Sequence, residues 1–195
     1  MPENISPDDL PGGFTAVELD EVRAIRRSGK ILYDIDEDKF ATTGGRVAFC
    51  GCADGDRFCN IHTHLTRGLR KSGGVPVVHT ISMAGAVLRS PHRSPVFSWI
   101  RGDDKLILSE IAGGKKLKFI TTVILVSHWP CGAAHESGVG FHQSLRLFAL
   151  AKRRVREKFP ELNVGCFLDF DFGKGRQRTY RLRMRELRPY LGMRR

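Results

Sequence analysis

The sequence predicts an α/β protein built on a mainly parallel central β-sheet flanked by helices, and three observations carry that expectation. Strand-like and helix-like segments alternate along the chain, the pattern of layered α/β architectures. Some strand-like segments, such as "FITTVILVSH", are apolar nearly throughout, which suits strands covered on both faces. A chain of 195 residues with 41% hydrophobic content can bury one ordinary core without disulfide staples.

Taken in order, residues 1–13 carry prolines and little apolar content and read as unstructured. "FTAVELDEVRAIRRSGK" fits a helix: Thr15 and Glu18 make a capping-box pattern, and Val17, Val22 and Ile25 can share a face. After Gly44-Gly45, "RVAFCGCADGDR" is a short strand entering a polar loop, and "CNIHTHLTRGLRKSGG" reads as a helix closed by glycines. "VPVVHTISMAGAVL" is a second strand that turns into a loop at Ser82. Residues 91–104 are loop-rich, "KLILSEIAGGKKLK" is helical at least to its glycines, and "FITTVILVSH" is the third strand. "GFHQSLRLFALAKRRVREKF" places Leu145, Phe148, Ala149, Val155 and Phe159 at helical spacing. "LNVGCFLDFDF" is the fourth strand, with Cys166 as core and with Asp169 and Asp171 sharing one face, read as an exposed edge. The chain divides into an N-terminal arm and helix, 1–43, and an α/β domain, 44–195, with a basic C-terminal strand.

Five cysteines are an odd number, the first residues lack a basic-then-apolar leader pattern, and no stretch reaches the length of a membrane span. These features predict a cytoplasmic protein whose cysteines bind metal, act chemically or fill core.

In parallel sheets, ligands bind beyond the carboxyl ends of the strands. The first strand ends at Cys52-Ala53-Asp54, the second near Ser82-Met83-Ala84-Gly85, and the third at His128-Trp129-Pro130-Cys131. Cys52, His128 and Cys131 therefore fall on one rim and offer two sulfurs and one nitrogen, a donor set that suits zinc with a fourth position for water or Asp54. Cys50 lies on the same side of its strand as Cys52, so periodicity does not choose between them.

"CADGDR" and "SHWPCGAA" resemble the two zinc motifs of the β-class carbonic anhydrases, Cys-x-Asp-x-Arg and His-x-x-Cys-Gly, and the order of elements over residues 44–173 is similar. The resemblance implies zinc on Cys52, His128 and Cys131 and favours Cys52 over Cys50. It implies that Asp54 either accepts a hydrogen bond from metal-bound water or ligates the metal, with Arg57 as its partner. It further implies reversible hydration of carbon dioxide to bicarbonate, and an N-terminal arm that wraps a partner subunit in a homodimer or higher oligomer. Two departures stand out: Arg57 lies three residues after Asp54 where the family has two, and Ser82-Met83-Ala84-Gly85-Ala86 lacks the polar groups of the family's turn. The alternative reading is a zinc-binding relative without that activity, acting on carbon disulfide or carbonyl sulfide or serving as a binding module.

Cys59, His62 and His64 in "CNIHTH" form a rival metal pattern, weighed against a helix bearing surface histidines. His135 and His142 follow the metal motif and are candidate proton relays or plain surface residues. His79 and His92 carry no pattern, and "GKG" lacks the frame of a phosphate loop.

The formal net charge is +11 and is concentrated late in the chain. "TYRLRMREL" alternates Tyr180, Leu182 and Met184 with Arg181, Arg183 and Arg185, a half-buried strand with an arginine-coated face. Such a face suits an edge strand guarded by like charges, or a nucleic-acid surface joined by Arg153, Arg154 and Arg156. No recognisable RNA- or DNA-binding motif accompanies it, and nucleic acid ranks below the anhydrase reading.

Overall fold

The computed structural model of the chain describes residues 13–35, 46–54, 58, 61–63, 66–67, 77–97 and 102–193, with Asp103 described by its backbone alone. Among the described residues, six strands form one sheet: β1 (Leu32–Asp34), β2 (Arg46–Gly51), β3 (Val77–Ser82), β4 (Thr122–Trp129), β5 (Asn163–Asp171) and β6 (Gln177–Leu182). Their order is β1-β6-β5-β4-β2-β3. The run β5-β4-β2-β3 is parallel, whereas β6 and β1 join antiparallel at one side. The helices are α1 (Ala16–Arg27), α2 (Ala86–Arg89), α3 (Asp103–Lys118), α4 (Gly132–Glu136), α5 (Phe141–Lys158) and α6 (Met184–Tyr190). Residues 58, 61–63 and 66–67 are helical as well. The mainly parallel α/β architecture read from the sequence is present.

Every residue of β4 is buried, which explains its uninterrupted apolar run: the strand is central and covered on both faces. On one face, Val123, Leu125 and Trp129 join the main core with residues of α1, α2, α3, α5 and α6. On the other, Val47, Phe49, Ile61, Ile124, Val126 and Phe167 form a smaller core. No helix among the described residues is long and apolar enough to cross a membrane.

The α1 capping box forms as its sequence pattern predicts. Thr15 Oγ1 accepts from the Glu18 amide at 3.2 Å, and Glu18 Oε2 accepts from the Thr15 amide at 3.0 Å. Glu18 Oε1 also accepts from the Phe141 amide at 3.1 Å, tying the start of α1 to the start of α5. The buried residues of α1 are Leu19, Val22 and Ile25. Val17 is 78% exposed instead; five residues before Val22, it lies about 140° around the helix at 3.6 residues per turn.

Two further expectations are corrected at the carboxyl end. The last strand stops at Leu182, and α6 takes over at Met184, because Met184, Leu187 and Leu191 are buried at helical spacing. Nor are β5 and β6 edge strands: β6 lies between β5 and β1. Asp169 is accordingly 2% exposed rather than on an open face, and it accepts a hydrogen bond from Thr179 Oγ1 at 2.6 Å. Asp171 accepts from the Gly173 amide at 2.8 Å in the turn to β6. The three-residue β1 is too short to leave a pattern in the sequence.

Candidate metal centre

Parallel register aligns the ends of β2, β3 and β4, so the loops that leave them share one rim. Cys52 follows β2, His128 lies at the end of β4, and Cys131 is the residue before α4. One ligand atom from each of Cys52, His128 and Cys131 lies within 4.8 Å of the other two. Ligands around a tetrahedral zinc stand roughly 3.5–3.8 Å apart, given Zn–S near 2.3 Å and Zn–N of about 2.0–2.1 Å. A contraction of at most about 1.0–1.3 Å brings this group to that geometry, and its chemistry, two thiols and an imidazole, suits the metal.

The surrounding groups orient each ligand. His128 is 2% exposed, and its Nδ1 lies 2.8 Å from the Pro130 carbonyl oxygen. A carbonyl only accepts, so Nδ1 carries the proton and Nε2 keeps the lone pair that a metal requires. The Gly85 amide donates to Cys52 Sγ at 3.1 Å. Gly85 has φ +68°, and a Cβ there would stand 2.9 Å from Val96 Cγ1 and 3.1 Å from Ala133 Cβ. Only glycine fits that approach without strain. The turn after β3 thus serves the site through its backbone, although its side chains are apolar.

The two thiols are strongly unequal. A hydrogen bond from Cys131, with help from His128 and the Gly85 amide, holds Cys52 down at about 4 against the opposing effect of burial. Cys131 is pushed up, first by that shared hydrogen bond, then by burial and the Cys52 charge, while the amides of Ala134 and Ala133 pull the other way. One thiolate forms readily, and the second needs a cation to stabilise it.

Asp54 Oδ2 lies 3.8 Å from His128 Nε2, with the Asp54 side chain 30% exposed at the rim. Beside Cys52 and His128 is an apolar hollow of about 10 Å³, walled by Phe49, Phe58, Ile61 and Val126. That is close to the space of one water-sized sphere. Arg89, 8% exposed, donates to the Ala84 carbonyl at 3.1 Å and lies 5.1 Å from the Phe97 ring centre. Burial lowers its pKa, while the Cys52 charge acts in the opposite sense.

Of the residues singled out in the sequence, Cys52, His128, Cys131 and Asp54 are brought together. Arg57 lies outside the described residues, as do Cys59 and His64 of the rival pattern. His62 packs against Phe58 and Phe49. Cys52, His128 and Cys131 are the one three-ligand group of this kind among the described residues. Cys50 and Cys166 are core, each pushed up to about 12 by burial. His135 is exposed, and His142 pairs with Glu21 at 2.8 Å. Sequence reasoning missed three contributors: the Pro130 carbonyl, the Gly85 amide as a donor to sulfur, and Arg89. The first two are backbone groups with no letter of their own, and Arg89 is a single arginine at the end of the otherwise apolar α2.

No family model matches the sequence, and no curated protein matches it. Among solved structures, the chain is similar to a carbonic anhydrase from Streptococcus mutans, with 11% identity and a TM-score of 0.42, covering 85% of this chain and 98% of that one. It is also similar to β-carbonic anhydrase isoform I from Trichomonas vaginalis, with 13% identity and a TM-score of 0.41, covering 85% of this chain and 97% of that one. Likeness at this level assigns no activity.

Proposed function

We propose that Cys52, His128 and Cys131 hold a zinc ion and that the chain catalyses the reversible hydration of carbon dioxide to bicarbonate. The observation that carries this reading is the convergence of the three ligand atoms within 4.8 Å of one another. When bound, zinc lowers the pKa of water toward about 7 and so supplies hydroxide at neutral pH. The protein's own part is orientation and exclusion. The Pro130 carbonyl fixes the His128 tautomer, and the Gly85 amide fixes Cys52. Phe49, Phe58, Ile61 and Val126 keep the neighbouring hollow apolar and small, which favours a compact, uncharged substrate over a hydrated ion.

Asp54 takes the role of gate. At 3.8 Å from His128 Nε2, its carboxylate stands beside the three ligands and would serve either as a fourth ligand or as an acceptor for water. Turned aside, it accepts a hydrogen bond from water and sets the direction of attack; turned inward, it closes the site. Arg57 is the partner that would hold it aside, provided the extra residue between them, relative to the family spacing, bulges out. In the same reading the protein acts in the cytoplasm as a homodimer or higher oligomer, testable by light scattering on the purified chain.

Metal analysis of the purified protein combined with stopped-flow carbon dioxide hydration tests the proposal. One zinc per chain with activity supports it. Zinc without activity removes the hydration step but keeps the metal, and the absence of any bound metal overturns both.

A further inference from the structure

An open groove of about 1350 Å³ lies at the opposite side of the sheet from β3 and is lined by β1, β6, α5 and α6. Lys152, Arg156, Arg181, Arg183, Arg185 and Arg188 all face it, against two acids, Asp34 and Glu186. Asp34 is already engaged by Arg178 at 2.7 Å. No carboxylate among the described residues forms an ion pair with Lys152, Arg156, Arg181, Arg185 or Arg188.

The basic residues of this end of the molecule fall into two sets. Arg153 pairs with Glu157 at 2.7 Å. Arg154 pairs with Asp104 at 2.7 Å and donates to the Ser90 carbonyl. Those two are committed within the chain. The groove set has no such partner among the described residues, and three of its members, from α5, β6 and α6, lie within electrostatic reach of the same buried Cys166 thiol. Edge protection does not account for them, because β6 is an interior strand. Like charges gathered with few counter-charges among the described residues repel, and a polyanion relieves that repulsion.

We propose that this groove binds single-stranded nucleic acid, with its phosphates on the groove cations and its bases against the apolar and planar groups beside them. The walls favour that occupant over a purely ionic one. Tyr33, Ile35 and Pro189 line the groove with the cations, and the Arg183 guanidinium lies 3.5 Å from the Tyr33 ring centre, a stacked pair. Unpaired bases stack on aromatic rings and guanidinium planes, whereas a duplex keeps its base faces internal. The groove is separate from the metal rim and does not depend on zinc.

Fluorescence anisotropy with a labelled oligo-dT or oligo-U single strand, and with a duplex of equal length, tests this on the full chain. Contact with about five phosphates predicts that affinity falls roughly 100-fold between 50 and 200 mM salt. The expected result is binding at 50 mM salt, at least about ten-fold tighter to single strands than to duplex, since only the former offers stackable bases. Arg181→Glu with Arg185→Glu should weaken it by about ten-fold or more and flatten the salt slope, leaving zinc content and thermal midpoint unchanged. Lys152→Ala with Arg156→Ala, on α5, provides a second variant independent of β6. No binding at 50 mM salt, tighter binding to duplex, or binding indifferent to both variants overturns the proposal. So does a result in which the charge reversals abolish self-association while no oligonucleotide binds, which would make the groove an interface between copies.

Discussion

At the rim beyond β4, three ligand groups sit largely inside the protein, each turned by a neighbour: Pro130 for His128, Gly85 for Cys52, and the two thiols for each other. At the groove between α5 and α6, the cations stand mostly in water with no carboxylate partner among the described residues. Buried charges are screened little by salt, while exposed ones lose most of their reach beyond about 10 Å at 0.1 M. In the roles proposed for them, the rim would gain affinity from fixed geometry and the groove from summed charge. That difference teaches where to intervene: one atom decides the rim, whereas the groove responds in increments.

The largest effect is expected from Cys131→Ser. A hydroxyl is a far poorer zinc ligand than a thiolate, so bound zinc should drop from about one per chain to a trace after dialysis. Hydration activity should go with it, while oligonucleotide affinity in the groove is unaffected. Mass-spectrometric metal analysis and the anisotropy titration read the two halves. Zinc retained at full stoichiometry would dismantle the assignment of Cys131 as a ligand.

Next comes Asp54→Ala, which separates holding the metal from using it. Zinc should stay bound, because the three other ligands remain. Hydration should fall by roughly 10²–10⁴-fold, the range of a positioned carboxylate lost from a proton-handling site. Stopped-flow rates on a variant of verified zinc content provide the check. Full activity would refute the gate and leave Asp54 a surface carboxylate.

The rim was legible in the letters residue by residue and the groove only as a basic face, for a physical reason. Cys52, His128 and Cys131 lie at strand ends, and a parallel sheet brings strand ends together wherever the helices pack. Thiols and imidazole at such positions announce a chemistry by type alone. The backbone groups that orient them carry no side-chain signal, so Pro130 and Gly85 surfaced only with the fold. The basic face was visible as a charge run, but charge runs say nothing about pairing. Arg153 and Arg154 read as equals of Arg156 until Glu157 and Asp104 proved to hold them. Likewise Asp169 looked like an edge residue because the letters do not reveal that β6 pairs along β5 and sets Thr179 beside it. The Tyr180–Leu182–Met184 alternation continued past the true strand end because a helix starting at Met184 also turns that residue inward.

A third expectation uses the thiols that are not ligands. Cys50 and Cys166 are each pushed up to about 12 by burial, from an ordinary value of 9.0. Above pH 9 the unfolded chain releases these protons while the folded chain keeps them, so the unfolded state binds fewer protons and stability falls as pH rises. The slope is about 1.4 kcal/mol per pH unit for each thiol, between roughly pH 9 and pH 12. Urea midpoints of zinc-loaded protein at pH 8.5, 9.5 and 10.5, compared with those of Cys166→Ala, isolate the contribution. The variant should be less stable throughout, through its cavity, but with a shallower alkaline decline. Parallel declines would place the alkaline sensitivity elsewhere, at the rim thiols first.

The smallest effect sharpens the groove itself. Arg153 and Arg156 are close neighbours on α5, both exposed, and both add one positive charge, so a purely global field would treat them alike. They differ in commitment: Arg153 is tied to Glu157 one turn on, whereas Arg156 lines the groove. Arg156→Ala should weaken oligonucleotide binding a few-fold and reduce the salt slope by about 0.7, the share of one phosphate on a single strand. Arg153→Ala should leave the slope unchanged, and its folding stability should stay near wild type because exposed pairs of this kind contribute little. Anisotropy titrations of both variants at three salt concentrations distinguish a located groove from diffuse attraction. Equal slopes for the two would mean that net charge alone does the binding, and that the arrangement around Tyr33 and Arg183 adds nothing to it.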